Sequence, residues 1–241
     1  MSTGMIIFVI VMGWTLLIMG GITYLLYKQK DYSLISGFSN RPEEEQEYLI
    51  ENGYMEAIKR MMLHSTLILA LLLVLGVLSV PYALEVGFAV FICYILGYTV
   101  QLQKYEVPHK RKRGYWITGS IALLVVGGIT ALTVYAFIPN QVTITEGHLE
   151  ISGMYGGEWT QEEIQEVTLL EEMPPVNVRV NGFAMTNLSK GKFRVEGYGT
   201  ALLFLRGDAR PVLYVSTEDE EIFMNGEDEG QVRGWYEELS R

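Results

Sequence analysis

The chain of 241 residues holds a single cysteine, Cys93, and three histidines. One cysteine forms no intramolecular disulfide, and among Phe91, Ile92, Tyr94 and Ile95 it reads as a small buried hydrophobe. After Asn140 there is no cysteine and one histidine, His148. Ser-His-Asp or Cys-His catalysis there would have to use His148, on a predicted hairpin strand, and a zinc site lacks its His/Cys cluster. The acidic runs Glu218–Glu221 and Glu227–Glu229 lack the twelve-residue spacing of an EF-hand and suit a turn and a helix start. The stretch "SGMYGG" has no following Lys-Ser/Thr, so it is no phosphate-binding loop. Glu171-Glu172 reads as strand-end polarity. No catalytic residue, metal site or cofactor is expected.

Charge is missing from whole stretches. Met1 to Tyr27, Met61 to Leu84, Val86 to Gln103 and Gly114 to Thr145 contain no Asp, Glu, Lys or Arg. A bilayer-crossing helix needs about 20 predominantly apolar residues. Four spans follow, at about residues 4–27, 61–79, 82–103 and 115–138. Pro81 in "SVPY" splits the second from the third. Glu85 then falls in the first turn of the third, where a carboxylate complements the helix dipole. The first apolar run lacks a preceding Lys or Arg and a small-residue cleavage site, so it reads as a retained helix and not a secretory signal.

No carboxylate, Lys or Arg lies in the middle of any span, which disfavours ion-coupled transport. Gly20-Gly21 and Gly127-Gly128 suit close helix approach. A polar cavity lined by Thr15, Thr118 and Thr130 would favour the alternative reading of a membrane-embedded enzyme or channel component regulated by the soluble domain.

Lys and Arg are also unevenly placed. Through Asn140 there are ten against nine Asp/Glu; from Gln141 there are eight against nineteen, a charge of −11. Lys28, Lys30, Arg41, Lys59 and Arg60 lie between spans one and two, and Lys104, Lys110, Arg111, Lys112 and Arg113 between spans three and four. With four spans these two connections share a side, and cationic flanks stay cytoplasmic. The N-terminus and the C-terminal domain are then expected outside. The basic run Lys110–Arg113 reads as a topology signal beside the headgroups, with Tyr115 and Trp116 as interfacial aromatics; no nucleic-acid partner is expected.

The connection "LISGFSNRPEEEQEYLIENGYMEAIKR" carries a helix at about 42–51, with Asn40 as N-cap, Glu43, Glu44 and Glu45 on its positive end, and Asn52-Gly53 as its stop. Its "LISGFSN-PEEE---Y" pattern after a first span, followed by a span hairpin, resembles a family of small bacterial membrane proteins with an N-terminal module of unknown function. The resemblance covers roughly the first 105 residues and implies a multi-pass bacterial cell-membrane protein.

From Gln141 the hydrophobic period shortens to two. "VTITEGHLEISG" reads as a hairpin about Glu146-Gly147. Strands follow at 164–172, 176–180, 192–198, 201–207, 211–217 and 221–225. A helix at 227–240, capped by Asn225 or a neighbour, puts Val232, Trp235, Tyr236 and Leu239 on one apolar stripe. The expected fold is therefore a four-helix membrane domain over 1–139, then an antiparallel all-β sandwich or open barrel with one C-terminal helix over 140–241. "VRVNGFAMTNLSKGKFRVEGYGTALLFL" followed by "VLYVSTEDEEIFMNGEDEGQVRGWYEEL" resembles the bacterial pleckstrin-homology-like domains, which implies a protein-interaction module. Phosphoinositide binding is not expected, because no Lys or Arg of this half precedes Arg179. The function expected is a non-enzymatic scaffold, sensor or accessory subunit. It is integral to the lipid bilayer and binds a protein partner or the envelope through the β domain.

Overall fold

The computed structural model describes residues 3–29, 32–145, 148–208 and 210–240. Lys30, the Glu146-Gly147 turn and Arg241 lie outside the described residues. The chain divides into two compact units, Met5–Thr130 and Ala131–Arg241, a boundary inside α5 and ahead of the composition change at Pro139-Asn140.

In the first unit, α1 (Thr3–Lys28) is followed by α2 (Glu43–Glu51), α3 (Tyr54–Val77), α4 (Ala83–Leu102) and α5 (Pro108–Phe137). All but α2 are long and apolar enough to cross a membrane. The N-cap of α2 is Pro42, not Asn40 as expected from sequence, and no side chain caps it. Proline drives the residue before it out of the helical region, so the helix cannot start earlier. Gly53, at φ +81°, ends α2 and directly begins α3. Consequently α3 starts at Tyr54, ahead of the span expected from Met61. Likewise α5 starts at Pro108, ahead of the span expected from Tyr115, with Pro108 in the first turn, where no N–H is missed. The basic run expected in a loop is helical.

α3 and α4 form the hairpin expected at Pro81, turned through Ser79 and Tyr82 at positive φ. Close approaches occur at Gly76 and Gly87, where an added Cβ would lie 2.6 Å from the Phe8 ring and 2.0 Å from Leu72. Gly20, Gly21, Gly127 and Gly128, assigned that role from sequence, have open space around them. α1 packs on α3 through Met12, Leu69 and Leu72, and through the hydroxyls of Thr23 and Thr66 at 3.2 Å. Cys93 is exposed and not buried; α4 turns one face to α3, and Cys93 lies off it, where lipid would take the place of protein. The α5 residues Leu123 and Leu124 are 77% and 75% exposed, a surface suited to acyl chains.

Among the described residues the second unit holds nine strands and α6 (Glu229–Leu239). β1 (Val142–Thr145), β2 (His148–Ile151) and β3 (Gly157–Thr160) form one antiparallel sheet. β4 (Ile164–Leu170), β5 (Val176–Met185), β6 (Leu188–Val195), β7 (Gly199–Arg206), β8 (Val212–Thr217) and β9 (Glu221–Met224) form a second, in the order β4-β8-β9-β7-β6-β5. It is not all antiparallel, as expected, because β9 folds back from β8 into the place beside β7 and runs parallel to β7. Among the described residues the strands close no barrel. Leu202, Phe204, Leu213, Val215, Ile222 and Met224 point to the side covered by Leu149, Ile151, Trp159 and α6. Their sequence neighbours Leu203, Tyr214 and Phe223 pack on the opposite face with Tyr198. α6 begins at Asp228, whose carboxylate accepts the Gln231 N–H at 2.8 Å, and not at Asn225. Val232 and Leu239 are buried against the core, with Trp235 and Tyr236 partly buried beside them.

Candidate functional site

In the first unit, polar chemistry gathers where the α1–α3 connection meets the α4–α5 connection. Arg41, just ahead of Pro42, forks onto Glu106: Nη1 to Oε1 at 2.6 Å and Nη2 to Oε2 at 2.8 Å. Glu106 is 6% exposed and also accepts the Val107 N–H at 3.0 Å. Burial pushes its carboxyl up, but the Arg41 bonds, the Val107 bond and the charges of Arg41 and Lys110 outweigh that and hold it below its ordinary value. The bond to Glu106 likewise raises the Arg41 guanidinium. Glu45, in the first turn of α2, lies 3.6 Å from Arg41, 2.7 Å from Lys110 and 3.7 Å from His109. Arg111 donates to the Glu106 carbonyl at 3.1 Å and to Tyr48 Oη at 3.4 Å. Cations at the start of α5 oppose its dipole, and the Glu45 and Glu106 carboxylates offset that repulsion. This arrangement can fasten two connections; it presents no nucleophile and base in mutual reach.

Lys28 is the last residue of α1, and Lys104 lies in a 3-10 turn with its ammonium 4.6 Å from the Tyr105 ring centroid. Lys112 and Arg113 are exposed on α5. Nearby, Lys59 is 4% exposed, bonded to Glu56 at 2.8 Å and facing the rings of Tyr27 and Tyr32. Thr15 and Thr118 donate to the Val11 and Gly114 carbonyls of their own helices, and Thr130 is exposed. No hydrogen bond joins these three among the described residues.

In the second unit, a groove of about 870 Å³ opens where the chain leaves α5, between β1, the ends of β6, β7 and β9, and α6. Lys190 of β6 is 4% exposed and donates to the Ile138 carbonyl at 2.7 Å; Arg206 of β7 donates to the Phe137 carbonyl. The two cations thus meet the carbonyl end of α5, its negative pole. Burial, and then the charge of Arg206, lower the Lys190 ammonium below its ordinary value. Asn140 and Trp235 also line the groove.

One of the two edges of the larger sheet is β5, paired among the described residues with β6 alone, with Val176, Val178 and Val180 43%, 43% and 56% exposed. The glycines of "NGF" and "GKF", Gly182 and Gly191, face each other across β5 and β6 at φ +139° and +123°. A Cβ on Gly182 would meet the Lys190 carbonyl at 2.2 Å. His148 is exposed at the start of β2, opposite Thr160. Among the described residues no three His, Cys, Asp or Glu side chains form a metal-holding group.

Sequence reasoning missed Glu106 and Lys190 as points of contact. Glu106 had a signal, being the lone carboxylate in a connection of five cations. Lys190 had a weaker one: it alternates with Leu188 on a strand face directed inward.

Residues 10–106 match a family described as "Domain of unknown function (DUF3784)". The match covers less than half the chain, runs from α1 to Glu106, and so includes both members of the Arg41–Glu106 pair. No match was found among curated proteins or solved structures. The N-terminal half is thus a membrane-type region similar to that domain of unknown function, followed by a separate β unit.

Proposed function

We propose that this is a non-enzymatic multi-pass protein of the bacterial cell membrane. Its N-terminus and β unit face outward, and its two basic connections are cytoplasmic. The β unit, read as pleckstrin-homology-like, binds a protein partner or the envelope, so that the four helices anchor a scaffold, sensor or accessory subunit. The carrying observation is charge placement: all ten Lys and Arg through Asn140 fall in two alternate connections or in the helix turns that border them. The Arg41–Glu106 pair supports it, because it joins those two connections directly. The exposed valines of edge strand β5 support the partner reading.

A photo-crosslinking residue at Val178, in native membranes, is expected to give adducts of defined mass, and one at exposed Glu162 none. Absence of adducts from Val178, with turnover or conductance by the purified chain, contradicts the proposal.

A further inference from the structure

The groove at the carbonyl end of α5 holds two cations, Lys190 and Arg206, that cap that end and retain further donors. Lys192, Arg210 and Arg233 are paired with Glu220, Glu172 and Glu229. Among the described residues Lys190, Arg206 and the exposed Arg179 and Arg194 have no carboxylate partner, and of these Lys190 and Arg206 donate to the main chain. An ammonium has three donors and a guanidinium five, so most of their hydrogen-bonding capacity is left over. The carbonyl end of α5 offers these two cations only a partial negative charge, about −0.5 for a helix C-terminus, so much of their positive charge is left uncompensated and an anion relieves it. The depressed Lys190 ammonium is in keeping with that deficit.

The register places both side chains on one face of the larger sheet: Lys190 lies opposite Phe204, and Arg206 opposite Leu188. Glu227 is the one carboxylate among the described lining residues, which leaves the groove a formal charge of +1. That suits a phosphodiester, with one negative charge, better than a phosphomonoester. Asn140 and Asn225 line it with amides already bonded to the main chain of Ser152, Met154 and Arg206, and Trp235 adds an aromatic ring of the kind found at membrane interfaces. Ile138, whose carbonyl Lys190 holds, is the first residue after α5. One residue advances the chain by only about 3.5 Å, so a bilayer crossed by α5 has its headgroups at this level.

We propose that this groove is a phosphate-anion site that takes the phosphodiester headgroup of an anionic phospholipid. The membrane placement of α5 rests on the reading above; the anion chemistry does not. The site gives the unit a local attraction to a surface that its charge of −11 repels at longer range.

The test is native mass spectrometry of the full chain in non-ionic detergent, titrated with short-chain phosphatidylglycerol, short-chain phosphatidylcholine or inorganic phosphate. The expected result is one retained phosphatidylglycerol, bound at least about tenfold more tightly than either competitor, as for one charge-assisted pair. Arg206→Gln, at an exposed position, is expected to weaken it about tenfold, Arg206→Lys to restore most of it, and Lys192→Gln to leave it unchanged. Equal binding of phosphatidylcholine, or indifference to Arg206→Gln, overturns the site. Inorganic phosphate binding as tightly as phosphatidylglycerol overturns the lipid source. These readouts need neither a protein partner nor a membrane side, so their failure is distinct from failure of the crosslinking or of the topology.

Discussion

Glu106 is where a single side chain decides most. Its carboxylate is the shared acceptor for Arg41 and the Val107 N–H, and almost none of it reaches solvent. Glu106→Gln leaves Arg41 facing a neutral amide, and is expected to cost about 2 kcal/mol in detergent unfolding. The pH dependence has a definite sign. A carboxyl whose folded pKa is depressed contributes stability above its unfolded value, about 4.3, and loses it as pH falls through the folded value. The difference between wild type and Glu106→Gln should therefore be full at neutral pH, begin to shrink as pH falls below about 4.3, and vanish only once pH is below the depressed folded value. A difference that persists unchanged in acid would contradict this account. Gly191 is decisive for a different reason. Its backbone is at φ +123°, and a Cβ would lie 2.5 Å from the Asn181 carbonyl and 2.7 Å from Gly182 Cα. Gly191→Ala is expected to destabilise the β unit by about 2–3 kcal/mol, read as a lowered Tm of the full chain.

Among the elements, α6 depends on its buried stripe more than on its cap. Leu239→Ala removes a side chain 2% exposed against the main core, with an expected loss of about 3 kcal/mol; a circular-dichroism melt unchanged within error would refute that packing. This stripe, the four apolar runs and most strands were legible because hydrophobic period and length are local properties. The starts of α3 and α5 were not. Hydropathy marks where lipid begins, whereas Glu56, Lys59 and Lys110–Arg113 continue the helix beyond it. β3 was missed because "GEWT" is short and opens on glycine. The parallel β7–β9 pair and the Arg41–Glu106 fork arise from tertiary placement, the latter between residues 65 apart. No pattern within one segment reports either.

For the whole molecule, the central issue is which side of the membrane the acidic β unit occupies. The basic connections and the −11 unit lie on opposite sides in the proposed arrangement, separated along the chain by α5. A cysteine at Asp219, an exposed turn residue, in a Cys93→Ala background gives one addressable thiol. The decisive measurement is reaction of that thiol with a membrane-impermeant maleimide in intact spheroplasts, with Lys112→Cys in the same background as the opposite-side reference. The account predicts labelling of the Asp219 position in intact spheroplasts and of the Lys112 position only after permeabilisation. The reverse pattern would contradict it.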